Sequence, residues 1–259
     1  MWLALVIACA ELPEGTVRYA PVGDGETASA PTLGEGSPAH TGDTGATRGT
    51  ADTGRPMAGP CPPEMVQVEG FCIDAWEAHL VDASPFDVAS WGVAASAPGE
   101  VPQGYISGDV AEAACVAAGK RLCSSAEWLW ACQGAEGRTY PYGPEYDPDA
   151  CNDTRAVHPV VELFGADADW SPEQMNDPRL NQLPDSLHAA GAFPDCATPE
   201  GVFDLHGNLH EWVTDAEGVF RGGFYVDAVI NGPGCGYATT AHSREYHDYS
   251  TGFRCCSDP

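Results

Sequence analysis

The side chains with the most chemistry in this sequence are cysteines and a short acidic loop. Eleven cysteines stand at positions 9, 61, 72, 115, 123, 132, 151, 196, 235, 255 and 256. No C-x-x-C pair and no zinc-finger spacing occurs among them. Setting Cys9 aside leaves an even, scattered set, which predicts a disulfide framework rather than a zinc site and therefore an oxidising compartment. Adjacent Cys255-Cys256 has the look of a redox pair, but in so cysteine-rich a domain each is expected to be bonded elsewhere. The second centre is Asp204-Leu205-His206-Gly207-Asn208-Leu209-His210-Glu211. A Gly-Asn turn between two carboxylates lets backbone and carboxylate oxygens converge on a hard cation such as calcium, which takes six to eight oxygens. The competing expectation is an ordinary β-turn with exposed acids. His206 and His210 lie four apart, and His242 and His247 follow later, yet no complete zinc or iron ligand spacing is present, so these read as surface or hydrogen-bonded histidines.

The elements that must position these groups are short. Met65-Val66-Gln67-Val68 alternates, and Phe71-Cys72-Ile73-Asp74 follows after Glu69-Gly70, which predicts two strands around a turn with Cys61 near enough to bond Cys72. Asp109 to Ala118 predicts a helix with Asp109 and Glu112 as a capping box and Gly119 past its end. Ser124 to Cys132 predicts a second, with Ser124 and Glu127 as the box, Trp128 and Ala131 a turn apart, and Gly134 closing it. Beyond Tyr140, Gly, Pro, Asn and Asp separate short apolar runs, so the fold class is α+β with little regular secondary structure.

Composition bounds the rest. The 259 residues suffice for one domain and a tail, with 43% hydrophobic residues to build a core. Eleven Lys+Arg against 38 Asp+Glu give a net charge of −27, and Lys120 is the sole lysine, which excludes nucleic acid and anionic membrane surfaces as partners and favours cations. Residues 1–9 read as a lipoprotein-type signal segment: Met1 to Ala8 is too short to span a bilayer, and Val6-Ile7-Ala8 precedes Cys9 as small residues precede a lipidated cysteine, although no positive n-region is present. Residues 10–59, rich in Gly, Thr, Ala, Pro and Asp and without apolar periodicity, read as a disordered linker. The expected protein is thus exported, in the bacterial cell envelope, held to a membrane by a lipid on Cys9.

Six motifs occur in order: Gly119-Lys120-Arg121-Leu122, Ala126-Glu127-Trp128, Tyr140-Pro141-Tyr142-Gly143, the run from Gly201 to Val213, Arg221-Gly222-Gly223, and Gly252-Phe253-Arg254-Cys255. Together they resemble the formylglycine-generating, or sulfatase-modifying factor, family, and the resemblance covers the domain expected over 60–259. It implies a single loop-rich domain related to C-type lectins. It implies disulfides Cys115-Cys255 and Cys132-Cys235; sequence alone leaves several connectivities open for the rest, of which Cys123-Cys256 and Cys151-Cys196 are the pairs expected here. It implies calcium held by Asp204, Gly207, Leu209 and Glu211, with a second calcium site beginning at Asn152. Active members turn a sulfatase cysteine into formylglycine with a copper ion bound by two cysteines five positions apart after RGG. Those positions fall at or near Asp227 and Gly232, neither of which supplies a thiolate, and Cys235 matches the family's structural cysteine. Copper is therefore not expected. The expected function is a non-catalytic module for a peptide or a glycan; the alternative is an active oxidase. A glycan binder would show aromatic faces, for which Tyr225, Tyr237, Tyr246 and Tyr249 are candidates, although such tyrosines more often belong to a core.

Overall fold

A computed structural model describes residues 61–259. Cys9, the signal segment and the linker expected over 10–59 lie outside the described residues. The hairpin forms where the alternation places it, with β1 (Met65–Val68) antiparallel to β2 (Phe71–Asp74) and Glu69 turning the chain at φ 50°. A second hairpin pairs β3 (Ala78–Leu80) with β4 (Ala94–Ser96) across a long loop. Helix α1 (Gly108–Ala117) is followed by β5 (Arg121–Leu122) and helix α2 (Ser125–Gln133). Short helices α3 (Pro159–Phe164) and α4 (Pro172–Met175) punctuate the loops. The remaining strands are β6 (His210–Val213), β7 (Val219–Arg221), β8 (Ala238–Thr239), β9 (Thr251–Phe253) and β10 (Cys255–Ser257).

Local chemistry explains the helix ends. Helix α2 starts as expected: Ser124 Oγ accepts the Glu127 amide at 3.2 Å, and Glu127 Oε2 accepts the Ser124 amide at 2.9 Å. Helix α1 departs from expectation. Its cap is Ser107, whose Oγ accepts the Val110 amide, while Asp109 and Glu112, expected as a capping box, both pair with Arg244 at 2.9 and 2.6 Å. A guanidinium reaching in from a distant loop outcompetes the local backbone for those carboxylates.

Two four-stranded sheets carry the site. One has the order β1-β2-β10-β5 and the other β8-β7-β6-β9, with β6 and β9 parallel. Helix α2 covers Ile73, Leu205 and Val213 with Trp128, and helix α1 packs against Leu122, Trp212, Phe220 and Phe253. A third core gathers Tyr105, Val160, Leu180, Tyr225 and Tyr249. Disulfides join Cys61–Cys72, Cys115–Cys255, Cys123–Cys256, Cys132–Cys235 and Cys151–Cys196, the five pairs expected. Successive residues of a strand face opposite sides, so Cys255 and Cys256 tie β10 to α1 on one face and to the end of β5 on the other. Five disulfides belong to an oxidising compartment, which makes this an exported or extracellular domain.

Candidate functional site

The Asp204–Glu211 segment enters β6 through left-handed residues at Asp204 (φ 60°), Gly207 (φ 82°) and Asn208 (φ 56°). Glycine at 207 is a steric requirement, since a Cβ there would stand 2.2 Å from the Asn152 carbonyl oxygen. That close approach brings the two expected calcium segments together. The Asn208 amide donates to Asn152 O at 2.7 Å, and Asn152 Nδ2 donates to Asn208 Oδ1 and to Ser186 O, each at 2.9 Å.

Behind the turn lies a buried charge cluster. Glu211 accepts Arg254 Nε and Trp128 Nε1 on Oε2, at 2.6 and 2.7 Å, and Arg254 Nη2 on Oε1 at 2.6 Å. Arg254 links β9 to β10, and its guanidinium also donates to Asp74 O and Phe203 O, so one side chain ties the two sheets together. Glu77, which the sequence did not single out, accepts the Leu209 amide on Oε1 at 3.0 Å and the Asn208 side-chain amide on Oε2. Asp204 Oδ2 accepts the Gly191 amide at 2.7 Å. None of these four charged side chains belongs to a residue more than 4% exposed. Burial, reinforced by Asp204 and Glu211, holds the Glu77 carboxyl well above the usual carboxylate range, and burial raises Asp204 to about 6.

Three carboxyl groups and one guanidinium thus share a site away from water, where burial disfavours charge on the carboxyls unless a cation accompanies them. The donors are hard oxygens, so the cluster fits calcium in ligand type. Asp204, Gly207, Leu209 and Glu211 are held on one turn with Asn152 packed against it, but Glu211 has both oxygens engaged by Arg254. Among the described residues, no three His, Cys, Asp or Glu side chains surround a common metal position.

The histidines and tyrosines are mostly interior. His210 is buried rather than at the surface: Nδ1 has no partner, and the ring packs on Phe220 and Phe224 at 4.6 and 4.9 Å. Burial lowers it to about 3. His206 is buried with Nε2 3.0 Å from Asp153 Oδ2, and His247 meets Asn176. His242 stacks on Tyr246 with ring centroids 3.8 Å apart. Tyr225, Tyr237 and Tyr249 are buried, and Tyr246 is half-buried.

The loop after Arg221-Gly222-Gly223 is closed by its own side chains. Asp227 Oδ1 accepts the Val229 and Ile230 amides at 2.9 and 3.0 Å, and Oδ2 accepts the Tyr237 hydroxyl. Gly232 has φ 114°, a backbone conformation an L side chain strains to adopt. Cys235 is bonded to Cys132, and all ten cysteines of the described residues are in disulfides. Copper(I) selects thiolates, and this loop offers none, so the residues present do not fit that ion.

Comparison with known proteins places this geometry. Residues 89–259 match the family described as Sulfatase-modifying factor enzyme 1-like domain. "Inactive C-alpha-formylglycine-generating enzyme 2" of Bos taurus is 27% identical over 172 residues, 61% of this chain and 50% of that protein. Its Mus musculus counterpart is 26% identical over 172 residues, covering 61% and 49%. The chain therefore spans about half the length of the curated relatives it matches. Among solved structures, "Structure of PvdO from Pseudomonas aeruginosa" aligns at a TM-score of 0.48 and 17% identity, covering 73% of this chain and 80% of that one. With its order of motifs, its loop-rich α+β architecture and the match over residues 89–259, the chain belongs to the sulfatase-modifying factor family.

Proposed function

We propose that this chain is a non-catalytic member of the sulfatase-modifying factor family, an exported module that binds a peptide or a glycan. The observation that carries the reading is the complete pairing of the described cysteines, which leaves the loop after Arg221-Gly222-Gly223 without a soft ligand for copper. The matched relatives, both named inactive, agree with it. In this reading residues 1–9 are the signal segment with a lipid on Cys9, residues 10–59 are the linker, and the domain over 60–259 is stabilised by disulfides and by structural calcium at the turn holding Asp204, Gly207, Leu209 and Glu211, with Asn152 beginning a second site. The hard oxygen donors buried at this turn, whose carboxyls a cation would let ionise, support calcium there. Among the described residues no helix is long and apolar enough to cross a membrane. The opposing reading is an oxidase that converts a sulfatase cysteine to formylglycine. Copper-loaded protein incubated with a cysteine-containing sulfatase peptide under oxygen decides between them by mass spectrometry. An unchanged substrate mass is expected, and turnover that survives Cys235→Ser would refute the non-catalytic reading.

A further inference from the structure

The long loop between β3 and β4 encloses a cleft of about 410 Å³. Its shape is fixed by backbone bonds, Val81 N to Val93 O, Ala89 N to Tyr105 O and Gly104 N to Pro85 O, each at 3.0 to 3.1 Å. Over the cleft stands Trp91, 80% exposed and the most exposed large apolar side chain of the described residues. Asp82 and Asp87 line it with exposed carboxylates, neither of them in an ion pair among the described residues, and no basic side chain lines it. Gln103 also lines it, with only 1% of the residue exposed. Its Nε2 donates to Asp87 O and Gly104 O, which fixes the amide's orientation and leaves Oε1 a buried acceptor with no donor.

An aromatic face, two unpaired carboxylates and an orphaned acceptor call for a ligand rich in N–H donors and positive charge. A second cavity of about 340 Å³ shares Asp82 and Gln103 with the first and adds Glu100, so acceptors continue past a single cationic head. We infer that this cleft is the binding site for a basic peptide segment, with a guanidinium or ammonium group over Trp91 between Asp82 and Asp87. Net charge −27 draws such a segment towards the protein, and the cleft selects it. This assignment rests on the reading of the chain as a binding module and names the occupant of that module. The two adjoining cavities, with Asp82, Asp87 and Glu100 among their lining residues, favour an extended polypeptide with more than one basic residue over a neutral saccharide, which brings no positive charge to those carboxylates.

The test is calorimetric titration of the full chain, at low and moderate salt, with a short glycine-serine peptide carrying arginines, its citrulline counterpart, and an oligosaccharide of N-acetylglucosamine. The arginine peptide is expected to bind and the citrulline peptide not. Trp91→Ala and the pair Asp82→Asn with Asp87→Asn should each weaken binding by about tenfold, from loss of the cation–π and charge contacts. Glu173→Gln, exposed on α4 and outside both cavities, should leave it unchanged. Equal weakening by Glu173→Gln, or undiminished binding by Trp91→Ala, would reduce the effect to bulk charge and overturn the assignment. Trp91-dependent binding of the oligosaccharide in place of the peptide would overturn the basic occupant while leaving the binding-module reading intact. Binding of none of the probes would also overturn the assignment, and the copper assay then judges the non-catalytic reading on its own.

Discussion

Replacing His158 by asparagine removes a proton-binding ring from the third core while keeping a side-chain oxygen at the start of α3. His158 is the N-cap of that helix, and its Nδ1 accepts the Val160 amide at 3.3 Å. A ring that accepts on Nδ1 carries its proton on Nε2, which lies 3.0 Å from the Tyr249 hydroxyl. Protonating Nδ1 would set one N–H against another and charge a ring packed on Trp170 at 4.6 Å. Burial, helped by Arg155, accordingly lowers His158 to about 4 from 6.5. The unfolded chain therefore takes up this proton first. Stability is complete above pH 6.5, falls as pH drops from 6.5 to about 4, and is flat below. At about 1.4 kcal/mol per tenfold the whole effect is about 3 kcal/mol, and the water that still reaches this half-buried ring reduces it to about 1.5 to 2. Between pH 7 and pH 4.5 the wild type should lose about 1.5 kcal/mol more than His158→Asn, or about 3 to 6 °C in Tm. Thermal unfolding by circular dichroism across that range measures the difference. Parallel curves for the two proteins would refute the cap-and-burial argument, whatever their separation at neutral pH.

Arg254→Met leaves Glu211, Glu77 and Asp204 buried with no cation and should cost about 3 to 5 kcal/mol in urea unfolding; a loss below about 1 kcal/mol would contradict the arrangement. Gly207→Ala pushes a Cβ to 2.2 Å from Asn152 O at φ 82° and should cost about 3 kcal/mol, whereas Gly70→Ala, with open space around it, should change stability by about 0.5 kcal/mol or less. Millimolar calcium should raise Tm by about 5 to 10 °C over EDTA if it fills the Asp204–Glu211 turn at a hundredfold excess over Kd, and identical melting curves would rule out a structural role there and at Asn152.

How much of this was legible depends on the range of the interaction that decides each feature. The β1–β2 hairpin and the Ser124 cap are settled within a few residues, and both stand where alternation and the capping box place them. The cap of α1 is not local, because Arg244 lies far along the chain and takes Asp109 and Glu112 out of reach of the helix end. The turn from Asp204 to Glu211 is visible as a motif, yet Glu77 precedes it by more than a hundred residues and carries no pattern that would announce it. The same holds for Arg254, which reads as part of GFRC but becomes the partner of Glu211 only once β9 pairs with β6. Burial of Tyr225, Tyr237 and Tyr249 is a property of the third dimension, as is the aromatic packing that encloses His210.

Strand β10 occupies an interior position of its sheet although it follows both of its neighbours, β2 and β5, in chain order. Its neighbours, β2 and β5, leave the ribosome or the export channel well before it and cannot pair with each other across the gap it fills. Until residues 255–257 emerge, Ile73 and Leu122 lack their β10 strand partners, and Cys115 and Cys123 remain without their native partners. Assembly of this domain is therefore gated by the arrival of a single tripeptide, and a chain interrupted just before it would present two open strand edges and two reactive thiols to the machinery that inspects exported proteins.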